Sequence, residues 1–313
     1  MAFRLKPDEP LKKGIRRVSR REIEKALEEL ESCGFGDDEV VHGVRKRIKK
    51  LRAVLRLIRA DLGKKTFRRA NTWLRDAARP LTEIRDAKVL LDALDKLAAP
   101  LRDEASPESV VAVRTFLMNH KETVTHHVLD EEGACSRVQS MLADARDRLK
   151  YWATTEGGWA TVDAGLERAY LAGYSALAVA STEPTIENLH EWRKQAKYFG
   201  HQLQLLEPIC RNVMDELGNP VQELTEALGD DHDLAMLEKI VTEEAADLGG
   251  DGAVTRLQEL IDRRRGELQK SAFELGRRIY HDGPRTTMDR IQGWRKAWQR
   301  ELANGRVGLA AHC

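Results

Sequence analysis

Long apolar stretches are missing from this sequence of 313 residues. No run approaches the 18 or so apolar residues of a membrane-spanning helix, and the amino terminus lacks the apolar core of a secretory signal. The cysteines are few and far apart, without a CxxC pair, and we interpret all four as free thiols in a reducing compartment: Cys33, Cys135, Cys210 and Cys313. These absences predict a cytoplasmic protein that has no contact with membranes.

Aromatic residues are also scarce, at 5%, and segments of β-branched residues with alternating polarity are hard to find. An all-β protein is therefore excluded. Charged residues reach 33%, yet an apolar content of 42% suffices for a hydrophobic core. Between turn signals such as Pro80, Glu183-Pro184-Thr185 and Gly283-Pro284, apolar residues recur with helical periodicity. This pattern predicts an all-α fold, with Thr185 capping one of the helices.

The net charge of +1 conceals a strong local imbalance. Residues 41–75 contain thirteen lysines and arginines against the single acid Asp61, a net charge of 13 − 1 = +12. Residues 22–39 hold eight acids against Lys25 alone. A basic block of this kind is either a solvated helix face or a surface that binds a polyanion.

The sequence repeats itself once. Residues 41–58 align with residues 189–206 at an offset of 148, with identities at His42/His190, Arg45/Arg193, Lys46/Lys194, Lys49/Lys197, Leu55/Leu203 and Leu57/Leu205. At an offset of 147, Arg85-Asp86 aligns with His232-Asp233. This duplication predicts a single domain over residues 1–305, made of two helical-bundle repeats at about 1–150 and 160–305, followed by a tail at 306–313.

The shared polar residues fall on one side of each predicted helix. At about 100° per residue, His42, Arg45, Lys46, Lys49 and Arg56 form one row, with Arg52 at its rim. The opposite side carries an apolar seam suited to a bundle core: Val44, Ile48, Leu51, Leu55 and Ile58 in the first copy, and Trp192, Ala196, Phe199, Leu203 and Leu206 in the second. The histidines and cations are thus predicted to face away from the core, twice.

A row of uncompensated cations is unfavourable by itself, because like charges one helical turn apart repel each other. A bound polyanion would supply the missing negative charge. Arginine presents a planar fork to phosphate oxygens, lysine presents a compact charge, and a histidine beside phosphate favours its protonated form. The pattern therefore predicts a polyanion ligand whose groups resemble phosphate.

The motifs themselves resemble those of the CHAD family, the conserved histidine α-helical domain. The resemblance lies in H-x-x-R-K-x-x-K-K-L-R at residues 42–52 and L-H-x-W-R-K-x-x-K at residues 189–197, and it extends from residue 3 to about residue 303. It implies two pseudo-symmetric four-helix bundles that arose by internal duplication. It also implies non-enzymatic binding of inorganic polyphosphate, free or in granules, without a cofactor or a metal.

By this resemblance, the polyphosphate-binding residues are His42, Arg45, Lys46, Lys49, Lys50, Arg52 and Arg56 in the first repeat, His190, Arg193, Lys194 and Lys197 in the second, and Arg16, Arg17 and Arg20 near the amino terminus. Two departures from the family pattern predict that the second repeat binds phosphate more weakly than the first. Gly200 stands where another arginine is usual, and residues 170–174 lack the cations common in that segment.

Two other classes of function stay open at this point. An exposed histidine such as His42 could accept a phosphoryl group in a phosphotransfer bundle, although that chemistry does not need a duplicated cationic row. A nucleic-acid binder is the other alternative, but the first row lacks the interleaved aromatic residues that single strands stack upon. No motif of a P-loop, a serine hydrolase or a zinc protease occurs. Asp86 and Asp233 are expected to tether basic side chains or to cap helices.

Overall fold

The computed structural model describes residues 3–7, 9–31, 38–99, 107–152, 157–209, 212–244 and 251–304, which are helical almost throughout. The helices are α1 (Leu11–Glu31), α2 (Asp38–Leu57), α3 (Arg59–Ala78), α4 (Thr82–Ala98), α5 (Pro107–His126), α6 (Ala134–Trp152), α7 (Gly158–Thr182), α8 (Ile186–Leu206), α9 (Asn219–Glu243), α10 (Asp251–Tyr280) and α11 (Gly283–Ala303). The prediction of an all-α fold is confirmed. None of the described helices is both long and apolar enough to cross a membrane.

The two helices of the repeated motif form where the apolar periodicity predicts them. Every residue of both predicted seams is buried, from Val44 in α2 to Ile58 directly after it, and from Trp192 to Leu206 in α8. The hydroxyl of Thr185 caps α8 as expected, since it accepts a hydrogen bond of 3.2 Å from the backbone N–H of Asn188. Because the seams point inward, the cationic rows point outward, as predicted.

The hydrophobic core extends across both predicted repeats. Its main part joins residues of α1, α2, α3 and α6 to residues of α7, α8 and α11, and a smaller cluster lies among α4, α5, α9 and α10. Two pairs of helices that align in the sequence repeat pack directly on each other, α2 on α8 and α4 on α9. The division into two bundles near residue 155 stays a prediction, and residues 306–313 lie outside the described residues.

The basic block of residues 41–75 is split between two helices. The chain turns after Leu57, and within α3 the backbone leaves the helical conformation at Gly63, where φ is 70° and ψ is 162°. A positive φ of this kind favours glycine, which lacks a Cβ. Packing of α3 against α2 then places the exposed lysines Lys64 and Lys65 on a different helix from the predicted site.

The interpretation of all four cysteines as free thiols is wrong for Cys135, which is disulfide-bonded in the structure. Spacing along the chain detects only local pairs such as CxxC, whereas packing of helices can bring distant cysteines together. Cys33, Cys210 and Cys313 lie outside the described residues. The cytoplasmic location, which rested in part on free thiols, stays a prediction.

Candidate functional site

The two predicted rows of cations come together in the fold. Packing of α2 on α8 brings Lys49 close enough to Lys197 and Arg193 for their charges to disfavour its protonated form. In the same way Lys197 acts on His42, and Lys49 acts on His190. We call this surface, formed by His42, Arg45, Lys46, Lys49, Arg85, His190, Arg193 and Lys197, the cationic surface.

Lys49 lies at the centre of the cationic surface. Its side chain is exposed, and no hydrogen bond or ion pair joins it to any residue that the structure describes. Desolvation by the surrounding helices, reinforced by Lys197 and Arg45, lowers the pKa of Lys49 from 10.5 to about 7. Lys197 is half-buried, and desolvation with the charge of Arg193 lowers its pKa to about 8.

Arg45 is held by the end of α3 and the start of α4. Its guanidinium donates hydrogen bonds to the carbonyl oxygen of Ala78 at 3.0 Å and to the hydroxyl of Thr82 at 2.6 Å. The carboxylate of Asp86 lies close enough for its charge to favour protonated Arg45. Arg45 therefore occupies a defined position beside the exposed Lys49.

Arg193 lies against α9 in a different way. A Cβ atom at Gly229 would stand 2.7 Å from Nη2 of Arg193, so the glycine provides the space that this guanidinium fills. The charges of Asp233 and Asp230 favour protonated Arg193, although its half-buried side chain makes no hydrogen bond in the described part of the chain. Asp86 and Asp233 thus act electrostatically on the arginines of their own repeats, but neither forms an ion pair with them in the described chain, so their role as tethers stays a prediction.

Both predicted histidines are exposed and stand at the same place in their helices, four residues after the first residue of α2 or α8. Desolvation, followed by the charges of Arg85 and Lys46, lowers the pKa of His42. Desolvation, followed by the charges of Arg193 and Lys194, lowers the pKa of His190. The free protein therefore disfavours imidazolium at both positions.

Sequence reasoning missed two members of the site, Arg85 on α4 and His232 on α9. Arg85 acts on charged groups of both rows, including His42, Lys49 and Lys197. The ring of His232 stands 4.5 Å from that of His190, and desolvation with the charge of His190 lowers its pKa to about 4. Their alignment at an offset of 147 was the available signal, because each directly precedes the aspartate of its repeat.

Three more predicted residues of α2 are half-buried and already have partners. Lys50 lies 4.8 Å from the ring centre of Phe3. Arg52 donates a hydrogen bond of 3.0 Å to Asn71, and Arg56 lies 4.0 Å from the ring centre of Tyr198. These contacts hold the stems of the side chains against the protein. The three residues extend the row of α2 beyond the cationic surface without belonging to its exposed centre.

Lys194 and the three predicted arginines of α1 lie apart from this centre. Lys194 forms an ion pair with Glu191 one turn earlier in α8. Arg17 is bound to Glu9 and donates to the carbonyl oxygen of Arg4 at 3.0 Å. Arg16 and Arg20 are exposed on a charged groove of α1 that also contains glutamates. The structure thus brings together the α2 and α8 rows but leaves the α1 residues as a separate patch.

A metal centre has no support in the part of the chain that is described. No group of three histidine, cysteine, aspartate or glutamate side chains there is arranged to hold a metal ion. Near the cationic surface, the closest pair is His190 and His232, and cations surround it. Two imidazoles in such a field offer neither the number of ligands nor the charge that a divalent cation requires.

Comparison with known proteins bears on the family and the fold of the chain. The model of the CHAD domain family matches residues 20–242, well over half of the chain, and includes both α2 and α8. The solved structure of the CHAD domain from the plant Ricinus communis has a similar fold, with a TM-score of 0.57, 16% sequence identity and 95% coverage of each chain. No curated protein has a sequence that matches this chain.

Proposed function

The chain belongs to the CHAD domain family, and from this premise we propose that it binds inorganic polyphosphate without catalysing a reaction on it. One observation carries the proposal: cations from two distant segments of the sequence converge on a single surface, where several of them form no ion pair within the described residues. Lys46, Lys49 and Lys197 make no ion pair within the described residues. A protein does not gain stability from such a cluster, because like charges repel.

A linear polyanion fits this arrangement better than a single phosphate does. The row on α2 from His42 to Arg56 covers about 21 Å at 1.5 Å per residue, which is enough to follow several phosphates in succession. The row on α8 adjoins this row where α8 packs on α2, so a flexible chain can contact both. Each guanidinium or ammonium group that meets a phosphate oxygen forms a charge-assisted hydrogen bond.

Single-stranded nucleic acid is supported less well. Its bases need accessible aromatic faces to stack upon. Beside the cationic row, the tyrosine of α8, Tyr198, is buried, and Arg52 and Arg56 cover its ring. An inorganic chain needs no stacking surface, so the burial of Tyr198 favours polyphosphate over RNA or DNA.

A binding panel tests the proposal directly. Long-chain polyphosphate, RNA, DNA, ATP and orthophosphate would be titrated into the full chain over a range of salt concentrations. We expect polyphosphate to bind most tightly, with an affinity that falls log-linearly with salt as counterions are released, by analogy with nucleic-acid binding. Tighter binding of RNA or DNA, or a dissociation constant that does not change with salt, would overturn it.

Phosphotransfer is tested in the same series. A histidine that accepts a phosphoryl group would become labelled by a phosphodonor, and His42→Gln would abolish the label at every pH. A binding histidine would lose only part of the affinity, and only where imidazolium forms. Stable labelling of His42 in the wild-type chain would replace binding by group transfer as the function of this surface.

A further inference from the structure

Lys49 combines exposure with an unusual electrostatic environment. Its side chain is exposed, has no hydrogen bond or ion pair to the described residues, and is faced by cations from three helices. The groups that act on it are Arg45 of α2, Arg85 of α4, and Arg193 and Lys197 of α8, with Asp86 of α4 as an opposing charge. An amine in this position is accessible to small molecules and favours its neutral form.

The neutral form is the nucleophile. With a pKa of about 7, about half of Lys49 is neutral at pH 7, against about 0.04% of an ordinary lysine. A weaker base is also a weaker nucleophile, and the dependence known for thiols lowers the intrinsic reactivity roughly thirtyfold. The gain in neutral amine exceeds that loss, so Lys49 retains a net advantage over an ordinary lysine.

The surrounding cations select the reagent. A positive surface raises the local concentration of small anions, whereas it has no such effect on neutral molecules. We propose that Lys49 is a site of covalent acylation and that its reagents are acyl phosphates, small anions that carry an activated acyl group. The proposal uses the cationic surface but does not require polyphosphate to be its physiological ligand.

The reaction needs no further reactant. The lone pair of Nζ attacks the carbonyl carbon of the acyl phosphate, and a carbon–nitrogen bond forms. The carbon–oxygen bond to phosphate breaks, and phosphate leaves with the bonding pair while the nitrogen loses a proton to water. The guanidinium groups of Arg45 and Arg193 stabilise the departing phosphate. The products are an amide at Lys49 and inorganic phosphate.

Acylation would remove one charge from the cationic surface. If that surface binds polyphosphate as proposed above, the acylated protein binds it more weakly, so the supply of acyl phosphates would regulate binding.

The experiment compares lysines within one molecule. The full chain is incubated with acetyl phosphate between pH 6 and pH 9.5, and initial acetylation rates are measured for each lysine by peptide mass spectrometry. Lys64 of α3 and Lys270 of α10, both exposed, serve as internal references. We expect Lys49 to react at least about tenfold faster than either reference at pH 7, with a rate that levels off above pH 8. Equal rates, or a rate that rises in parallel with the references up to pH 9.5, would overturn the proposal.

Two controls separate the reactivity of the Lys49 amine from the recruitment of anionic reagents. A neutral acetylating ester reports the reactivity of the amine alone, so a preference for Lys49 that is no larger with acetyl phosphate than with the ester would overturn the recruitment of anions. Arg193→Gln removes a neighbouring charge, and we expect it to slow acetylation of Lys49 and to shift the pH midpoint upward.

Excess long-chain polyphosphate distinguishes this inference from the proposed function. Protection of Lys49 would support both. Fast acetylation of Lys49 without protection would contradict polyphosphate binding at this surface and leave the acylation site standing. Slow acetylation together with tight polyphosphate binding would contradict the acylation site alone.

Discussion

Arg45 and Arg193 occupy equivalent positions in the sequence repeat, yet the fold holds them differently. Arg45 donates hydrogen bonds to Ala78 and Thr82, whereas Arg193 fills the space over Gly229 without a hydrogen bond in the described chain. Gly229 is the counterpart of Thr82 at the offset of 147 that aligns Arg85 with His232. Identical cations in a repeat can therefore differ in how firmly their surroundings position them.

The two rows also differ in the charges that surround their histidines and lysines. His42 has the guanidinium of Arg85 as its neighbour, whereas His190 has the neutral imidazole of His232. Lys46 is exposed without an ion pair in the described residues, whereas its counterpart Lys194 is paired with Glu191. The α2 side of the cationic surface thus offers more uncompensated charge, and we expect it to contribute more of the affinity for a polyanion.

Removing two lysines at once from either row should produce the largest difference in polyphosphate affinity between the α2 side and the α8 side. We expect Lys46→Ala with Lys49→Ala to weaken polyphosphate binding at pH 6.5 by about a hundredfold, because each of the two charge-assisted contacts contributes about 1.5 kcal/mol and 1.4 kcal/mol is a factor of ten. Lys194→Ala with Lys197→Ala should cost several-fold less. Calorimetric titration measures both, and equal losses would contradict the asymmetry.

A charge-matched control belongs with this test. Lys64→Ala with Lys65→Ala removes the same two charges from α3, where both side chains are exposed and lie outside the cationic surface. We expect a much smaller loss of affinity, together with a melting temperature unchanged in all three variants. A loss as large as that of the α2 variant would show that net charge, and not position, determines binding.

The depressed pKa values predict proton uptake on binding. Phosphate favours the charged forms of Lys49 and Lys197, whose pKa values are about 7 and 8 in the free protein. Lys49 gains its proton as the pH falls through about 7, so affinity should be highest well below that value and should fall as the pH rises through it. The histidines, whose pKa values are also lowered, add uptake only at lower pH.

Calorimetry in two buffers of different ionisation enthalpy measures this uptake at pH 8. Lys49→Arg keeps the charge at every pH, so it should reduce the uptake at pH 8 while binding stays tight. Absence of uptake in the wild-type chain at pH 8 would mean that neither lysine titrates on binding.

Exchanging the residues beside His42 and His190 should change polyphosphate affinity by an intermediate amount. Arg85→His makes the α2 side resemble the α8 side, and we expect polyphosphate affinity to fall several-fold as a guanidinium that acts on both rows is lost. His232→Arg adds a guanidinium beside His190 and should raise affinity by a smaller factor. Equilibrium binding with a labelled polyphosphate checks both, and opposite signs would refute the role assigned to Arg85.

The sequence was sufficient to predict what depends on local periodicity. A period of 3.6 residues determines which sides of α2 and α8 are apolar, so the buried seams and the outward cations followed directly. It could not predict that the two rows form one surface, because a repeat offset does not say which helices touch. The turn at Gly63 and the pairing of Arg17 with Glu9 likewise depend on tertiary packing.

Arg85 shows what the sequence alone could not predict about the site. Its alignment with His232 was visible, but a match between an arginine and a histidine could not identify either as part of the site. Only the packing of α4 on α9 and of α2 on α8 brings their side chains to the same surface. The disulfide at Cys135 escaped prediction for a related reason, because the sequence has no other cysteine near this residue.

The smallest expected effect concerns the residues that position Arg193 and Arg45, which are Gly229 and Thr82. Gly229→Ala should stabilise α9 by up to about 1 kcal/mol, because glycine is unfavourable inside a helix. The Cβ of the new alanine, however, would displace the end of the Arg193 side chain. We therefore expect polyphosphate affinity to fall about twofold, which is less than the loss of one whole charged contact would cause. The melting temperature should hold or rise. Thr82→Ala removes the hydroxyl that holds Arg45 and should lower affinity by a similar factor, but with a small loss of stability, since a buried donor then loses one of its acceptors. Thermal melts and binding titrations on the pair separate the two outcomes. If Gly229→Ala leaves the affinity unchanged, Arg193 does not need its position over α9 to contact the polyanion, and the weaker grip of the α8 side has to arise from Lys194 and His232 alone.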